Sequence, residues 1–235
     1  MTPFVNVLWP TAAETKVYRR YEGSSFASSP IGAEWALGDG EWEIRWQLRL
    51  VTAPSASTIY LIGVGNEQGE DTGYNFHLNT SGQLRMVAYY DDESFHGWNA
   101  TTNLTSSLDD VPFWLRAHRV GDTWTAQYST DLDTWTTIMT KTESRGFSGL
   151  GSFGAAIGAI RTNGDLSTVN VADDPVDFMR FQLWTGGVEG TGTLVKDFNP
   201  SLAATGTPAN FEAATGETWT FNEGAPGTWA IVELP

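Results

Sequence analysis

The reading of this chain is decided by Phe113-Trp-Leu-Arg-Ala-His-Arg-Val120, Gly121-Asp122, Thr123-Trp-Thr-Ala-Gln-Tyr-Ser129, a short polar loop, and Trp135-Thr-Thr-Ile138. These are three strand-like runs, rich in aromatic and β-branched residues, separated by two tight turns. Gly121-Asp122 can take the positive φ angles of a two-residue hairpin. In the second run Trp124, Ala126 and Tyr128 fall on one face, and Thr125, Gln127 and Ser129 on the other. Asp131 and Asp133 bracket the second turn, where short carboxylates can accept local backbone N–H bonds. The stretch predicts a three-stranded antiparallel meander.

Alternation continues on both sides of it. From Glu41 to Leu50, Trp42, Ile44, Trp46, Leu48 and Leu50 face one way, and Glu41, Glu43, Arg45, Gln47 and Arg49 the other. One apolar and one polar face mark an antiparallel sheet with a single buried side. Ile59 to Val64 is continuously apolar, as in a strand covered on both faces. Tyr74, Phe76 and Leu78 alternate with Asn75, His77 and Asn79, and Ser81-Gly82 turns the chain into Leu84–Tyr90, a predicted hairpin. Ala155 to Arg161 reads as a strand of small residues that lets another backbone approach. In Asp177–Trp184, Met179, Phe181 and Leu183 alternate with Arg180, Gln182 and Trp184. About ten to a dozen short strands imply two packed antiparallel sheets, a jelly-roll sandwich over residues 24–235. Residues 1–23 differ. They read as an extended or briefly helical arm for anchoring or oligomerisation, carrying the basic cluster Lys16, Arg19 and Arg20. The alternative is an ordinary first strand.

The totals agree with an all-β chain. Its 235 residues include 25 Gly, 11 Trp, 12 Phe and 7 Tyr, a composition that favours strands and turns. There is no cysteine, which excludes disulfides and thiolate-bound metals. With 28 acidic and 13 basic residues the net charge is −15, which repels nucleic acid and anionic membranes. No stretch is long and apolar enough to span a bilayer, and the first residues lack the pattern of a signal peptide.

The meander resembles the core phrase of laminin G-like, concanavalin A-like domains. The phrase stands here as Trp114-Leu115-Arg116, Gly121-Asp122, Tyr128-Ser129-Thr130-Asp131 and Trp135-Thr136. Phe26-Ala-Ser-Ser-Pro-Ile-Gly-Ala-Glu-Trp-Ala-Leu37, leading into Glu41–Leu50, resembles the opening strand of such domains in minor tail proteins of phages that infect actinobacteria. Phe178–Trp184, Asp197-Phe198-Asn199-Pro200 and Thr215-Gly216-Glu217-Thr218-Trp219-Thr220-Phe221-Asn222 follow the same pattern in the same order. The resemblance covers roughly residues 24–225 and departs at the N-terminal arm and the short C-terminal tail. It implies a virion location, on the tail or capsid surface, with other virion proteins and further copies of the chain as partners.

Three kinds of chemistry remain to be weighed. Glycoside hydrolysis needs two facing carboxylates; Glu41 and Glu43 share a face, but the outward one, with Arg45 as a neutralising neighbour. The Glu-x-Asp-x-x-Glu pattern of related glucanases is absent, so no enzyme is expected. His77, His96 and His118 show no metal-ligand spacing. Calcium could be held at a rim by acids such as Asp91, Asp92, Glu93, Asp109, Asp110, Asp173 and Asp174, although no fixed-spacing loop is present; no other cofactor is expected. Glycan binding is the sharper expectation, since sugars are held by aromatic platforms and planar polar groups. Tyr89 to Asn99 combines both as a predicted rim loop. Tyr89 and Trp98 would stack, and Asp91, Asp92, His96 and Asn99 would bond hydroxyls; alternatively Phe95 and Trp98 plug the core. The expected protein is a non-enzymatic minor tail or tail-tip component showing a lectin-like sandwich to host glycans. The alternatives are a decoration protein without a ligand and a free carbohydrate-binding module.

Overall fold

The computed structural model describes residues 16–21, 26–30, 32–51, 58–65, 73–90, 94–104, 108, 110–147, 154–162, 165–167, 176–200, 210–213, 215–222 and 230–234. Within them the strands are β1 (Lys16–Tyr21), β2 (Phe26–Ser29), β3 (Trp42–Leu50), β4 (Ile59–Gly65), β5 (Gly73–Leu78) and β6 (Leu84–Tyr89). There follow β7 (Phe95–Asn99), β8 (Phe113–Val120), β9 (Thr123–Ser129), β10 (Thr136–Thr142), β11 (Ala155–Ile157) and β12 (Ile160–Thr162). The last are β13 (Asp165–Ser167), β14 (Val176–Thr185), β15 (Thr193–Phe198), β16 (Asn210–Glu212), β17 (Thr218–Asn222) and β18 (Ala230–Leu234).

They form two antiparallel sheets. The front sheet runs β10-β9-β8-β3-β14-β1-β18, with β15 also on β14; the back sheet runs β16-β17-β2-β11-β4-β5-β6-β7, and β12 and β13 make a separate hairpin. The meander is β8-β9-β10 at one edge of the front sheet. Gly121 supplies its first turn at φ +56°. In the second turn Asp131 accepts bonds from the N–H groups of Asp133 and Thr134 at 2.9 and 2.8 Å, while Ser129 Oγ accepts from Leu132 N–H. These donors hold the Asp131 carboxyl below its ordinary pKa, the Thr134 N–H most of all.

The period-2 pattern places the core. Trp42, Ile44, Trp46, Leu48 and Leu50 of β3 are buried and face Tyr74, Phe76 and Leu78 of β5 across the sandwich. Aromatic rings interlock there, with Trp42 stacked on Phe147 at 5.2 Å and edge-on to Trp124 at 5.3 Å. Burying each such ring contributes on the order of 2–3 kcal/mol. All seven residues of β4 are buried, in keeping with its unbroken apolar run. Ala155 and Ala156 let β11 fit between β2 and β4.

Three local expectations change. The β14 register shifts between Phe178 and Arg180, so the inward set is Phe178, Phe181 and Leu183, with Met179 out of step. Residues 95–99 form the edge strand of the back sheet rather than a loop, because β6 offers a free backbone edge for them to pair with. Residues 16–21, expected in an arm, form β1 inside the front sheet: Lys16 pairs Leu234, Arg19 pairs Phe178 and Ile231, and Arg20 pairs Asp177 and Ala230. Val17, Tyr18 and Tyr21 are of the β-branched and aromatic types that favour strands, and the backbone there is paired on both sides. Residues 1–15 lie outside the described residues.

Candidate functional site

The outward face of the front sheet is a closed set of charge pairs. Glu43 and Arg45 are both buried and bonded to each other, and Glu189 reaches Arg45 from the β14–β15 turn at 2.6 Å. The Arg45 guanidinium lies 5.4 Å from the Trp135 ring and 5.1 Å from the Trp184 ring, and Arg116 lies 3.9 Å over Trp135. Arg116 also donates to Gln127 at 2.7 Å. Arg49 meets Asp177 at 2.8 Å, and Arg180 meets Asp197 at 2.7 Å. His118 sits among these cations, and burial, then Arg116 and Arg45, push its pKa down to about 4. Glu43 is thus committed to Arg45 while Glu41 is exposed, and the two present no pair of free carboxylates.

The expected glycan residues divide between two sides of the back sheet. Pairing of β6 with β7 sets Tyr89 opposite Phe95, Ala88 opposite His96, Met86 opposite Trp98 and Arg85 opposite Asn99. Side chains alternate along each strand, so His96 and Trp98 point with Met86 and Ala88 toward the interior. Trp98 packs 5.1 Å from core Trp124. His96 meets Glu143 at 3.1 Å, beside the β10 exit. Trp124 donates its indole N–H to the Glu143 carbonyl at 3.1 Å, and Arg145 lies 3.6 Å over Tyr90. The Arg145 N–H foremost, and His96 also, hold the Glu143 carboxyl below its ordinary pKa. This group fastens the edge of the back sheet to the edge of the front sheet. Trp98 is therefore a closing plug and not a free stacking platform. Asp91 and Asp92 lie outside the described residues.

Tyr89 and Asn99 point the other way, onto the outer face of the back sheet. There the sequence expectation missed the residues that complete the group. Asn75 donates to the Tyr89 hydroxyl at 3.1 Å, and its carbonyl oxygen lies 2.6 Å from His77 Nδ1. Tyr60 lies beside His77, ring centroids 5.2 Å apart. Burial, and secondarily Arg85, push the His77 pKa down to about 4, so the ring is neutral near pH 7. Arg85 lies across Gly97, where an added Cβ would stand 3.0 Å from its Nη2. Phe95, 60% exposed, flanks Tyr89 at 6.4 Å. The face runs from buried Tyr60, Asn75 and His77 to exposed Phe95, Gly97 and Asn99 at the edge. An exposed ring, an amide, a phenol and a guanidinium on one sheet face can stack on a saccharide ring and bond its hydroxyls.

No protein-family model matches the chain, and no curated protein matches it in sequence. Solved structures do. Domains LG4-5 of the mouse laminin α1 chain match with 11% identity and a TM-score of 0.50, over 79% of this chain and 44% of that one. The fold is a laminin G-like, concanavalin A-like sandwich. The CBM40 of Ruminococcus gnavus IT-sialidase, bound to α2,3-sialyllactose, matches with 12% identity and a TM-score of 0.49, over 70% of this chain and 90% of that one. A heptameric pentraxin of Limulus polyphemus matches with 9% identity and a TM-score of 0.42, over 74% of this chain and 78% of that one. At such identities the likeness reaches the fold and stops there.

Within this laminin G-like sandwich the acids considered for calcium are mostly undescribed. Asp91, Asp92, Glu93, Asp109, Asp173 and Asp174 lie outside the described residues, and Asp110 faces Arg49 at 3.6 Å. Among the described residues no three His, Asp or Glu side chains gather as metal ligands, and no helix is long and apolar enough to cross a membrane. The signal for the outer-face group was in the predicted hairpin itself. With Leu78 opposite Leu84, Arg85 must lie beside His77 and Val87 beside Asn75.

Proposed function

We propose that the protein is a non-enzymatic virion component, a minor tail or tail-tip protein of a phage infecting actinobacteria, whose laminin G-like sandwich contacts host-surface glycans through the outer face of β5, β6 and β7. One observation carries the glycan reading: Phe95 stands exposed beside Tyr89, on the same face as Arg85, Asn75 and Asn99. An aromatic ring left in water next to planar polar groups is the arrangement that holds a sugar ring. Support for the virion comes from the ordered phrases Phe26–Leu37, Phe178–Trp184 and Thr215–Asn222, which resemble actinobacteriophage tail proteins. Other virion proteins and further copies of the chain are its proposed partners.

A free carbohydrate-binding module is the second reading. It is favoured by the placement of β1 within the front sheet, which uses residues 16–21 in the sandwich rather than in an anchoring arm.

A glycan array tests the shared core of both readings. The wild type is expected to bind a defined set of bacterial envelope saccharides, and Phe95→Ala to weaken that binding roughly tenfold with the fold intact. A blank array, or one unchanged by Phe95→Ala, removes the glycan reading. Light scattering on the same samples separates the two variants: a trimer or larger ring is expected of a virion component, and a monomer of a free module.

A further inference from the structure

Seven arginine side chains are described: Arg45, Arg49, Arg85, Arg116, Arg119, Arg145 and Arg180. Six have partners. Arg45, Arg49 and Arg180 meet carboxylates, Arg116 meets Gln127 and Trp135, and Arg145 covers Tyr90. Arg119 donates to the carbonyls of Gly40 at 3.2 Å and Ser144 at 3.0 Å. Arg85 makes no hydrogen bond or ion pair among the described residues, and its Nε is buried without a partner. A guanidinium cannot shed its charge, so an uncompensated one retains its full appetite for an anion.

The setting of Arg85 is built. It lies half-buried on the outer face of β6, over Gly97, where any side chain would crowd the guanidinium. Neighbouring His77 is neutral near pH 7 and adds no charge. Among the described residues a single positive charge therefore stands beside the Tyr89–Phe95 pair and opposite Asn99. It matches one unit of negative charge on a planar group able to accept two parallel N–H bonds, which is a carboxylate.

Resting on the glycan reading above, we infer that Arg85 is the anion anchor of this face and that its ligand is a carboxylate-bearing saccharide, such as a uronic acid polymer. The sugar ring lies against Phe95 and Tyr89, and its carboxylate meets the terminal nitrogens of Arg85. One charge-assisted pair is worth on the order of tenfold or more in affinity.

The test is calorimetric titration with glucuronate-containing oligosaccharides and with the same oligosaccharides after reduction of the carboxyl to the alcohol. The wild type is expected to favour the acid at least tenfold. Arg85→Gln should bring the two within about twofold, whereas Phe95→Ala should weaken both. Lys141→Gln, which removes an equal charge from the front sheet, should change neither. Equal binding of acid and alcohol by the wild type overturns the inference and leaves the glycan reading standing, as does a preference that survives Arg85→Gln. No binding of either, together with a blank array, removes both. The acid-to-alcohol ratio of the wild type decides the matter even if Arg85→Gln misfolds.

Discussion

The two outward faces of the sandwich handle charge in opposite ways. On the front sheet, cations are answered locally: Glu43 and Glu189 meet Arg45, Asp177 meets Arg49 and Asp197 meets Arg180. Trp135 and Trp184 cover Arg45. On the back sheet, Arg85 has no such partner among the described residues, His77 is held neutral, and Phe95 projects into solvent beside them. The pairs of the front sheet consume their own binding capacity, because a carboxylate bonded to a buried arginine has little left to offer a ligand. The back sheet retains its capacity. The contrast shows that polar residues on a sheet face mark a recognition surface only where their mutual pairing is incomplete.

The largest effect should come from breaking a front-sheet pair. Asp177 is fully buried and accepts from both Nε and Nη2 of Arg49 at 2.8 Å. Asp177→Ala takes away the carboxylate that Arg49 meets at 2.8 Å, whereas the exposed Asp110 stands farther off at 3.6 Å. Breaking a buried ion pair by removing its carboxylate costs roughly 3 kcal/mol. Urea unfolding should show that loss at an unchanged slope. A loss below about 1 kcal/mol would mean that water already screens the pair, as on an ordinary exposed surface, and the contrast between the faces would fail.

These differences were unevenly visible in the sequence. The meander, the β3 alternation and the β5–β6 hairpin were legible because each has one apolar and one polar face, and period 2 survives in any register. The β14 bulge was not, since one extra residue reverses the phase without altering composition. Strand β7 was missed for a related reason. Phe95, Gly97 and Asn99 alternate with His96 and Trp98, but both sets mix ring and polar residues, so no face looks apolar. That also hid the division of the candidate site: Tyr89 and Asn99 lie on the outer face, while His96 and Trp98 close the sandwich end. Arg85 and Gly97 escaped notice because neither stands out singly. Only the cross-strand register puts the guanidinium over the glycine.

A smaller effect should appear on lowering the pH. The folded pKa of His77, about 4, lies below the 6.5 of an ordinary imidazole, which it takes in the unfolded chain. Between those values the unfolded chain binds a proton that the folded one does not. Stability should therefore be full above pH 6.5 and fall as the pH drops toward 4, by about 2–3 kcal/mol in all for this residue. His118 has the same direction and adds to the slope. His77→Gln should flatten the pH dependence of the urea midpoint over that window. An unchanged slope would mean that His77 takes up its proton in the folded state, and the back-sheet face would then carry a second cation beside Arg85.

The smallest effect separates the faces most cleanly. If Arg85 is held for a ligand, the free protein gains little from it. Arg85→Gln removes a charge with no partner among the described residues and relieves the unpaired Nε, while losing part of the packing over Gly97. These contributions oppose each other, and the change in unfolding free energy should stay within about 0.5 kcal/mol, with a gain as acceptable as a loss. Comparison with Asp177→Ala under the same conditions removes any common error of extrapolation. A loss near 2 kcal/mol would show that Arg85 is as structural as Arg49, and the outer face of the back sheet would then be a second closed surface. Near-neutral stability combined with lost preference for the acidic saccharide is the pattern of a binding residue, because the same side chain would matter to the complex and not to the fold.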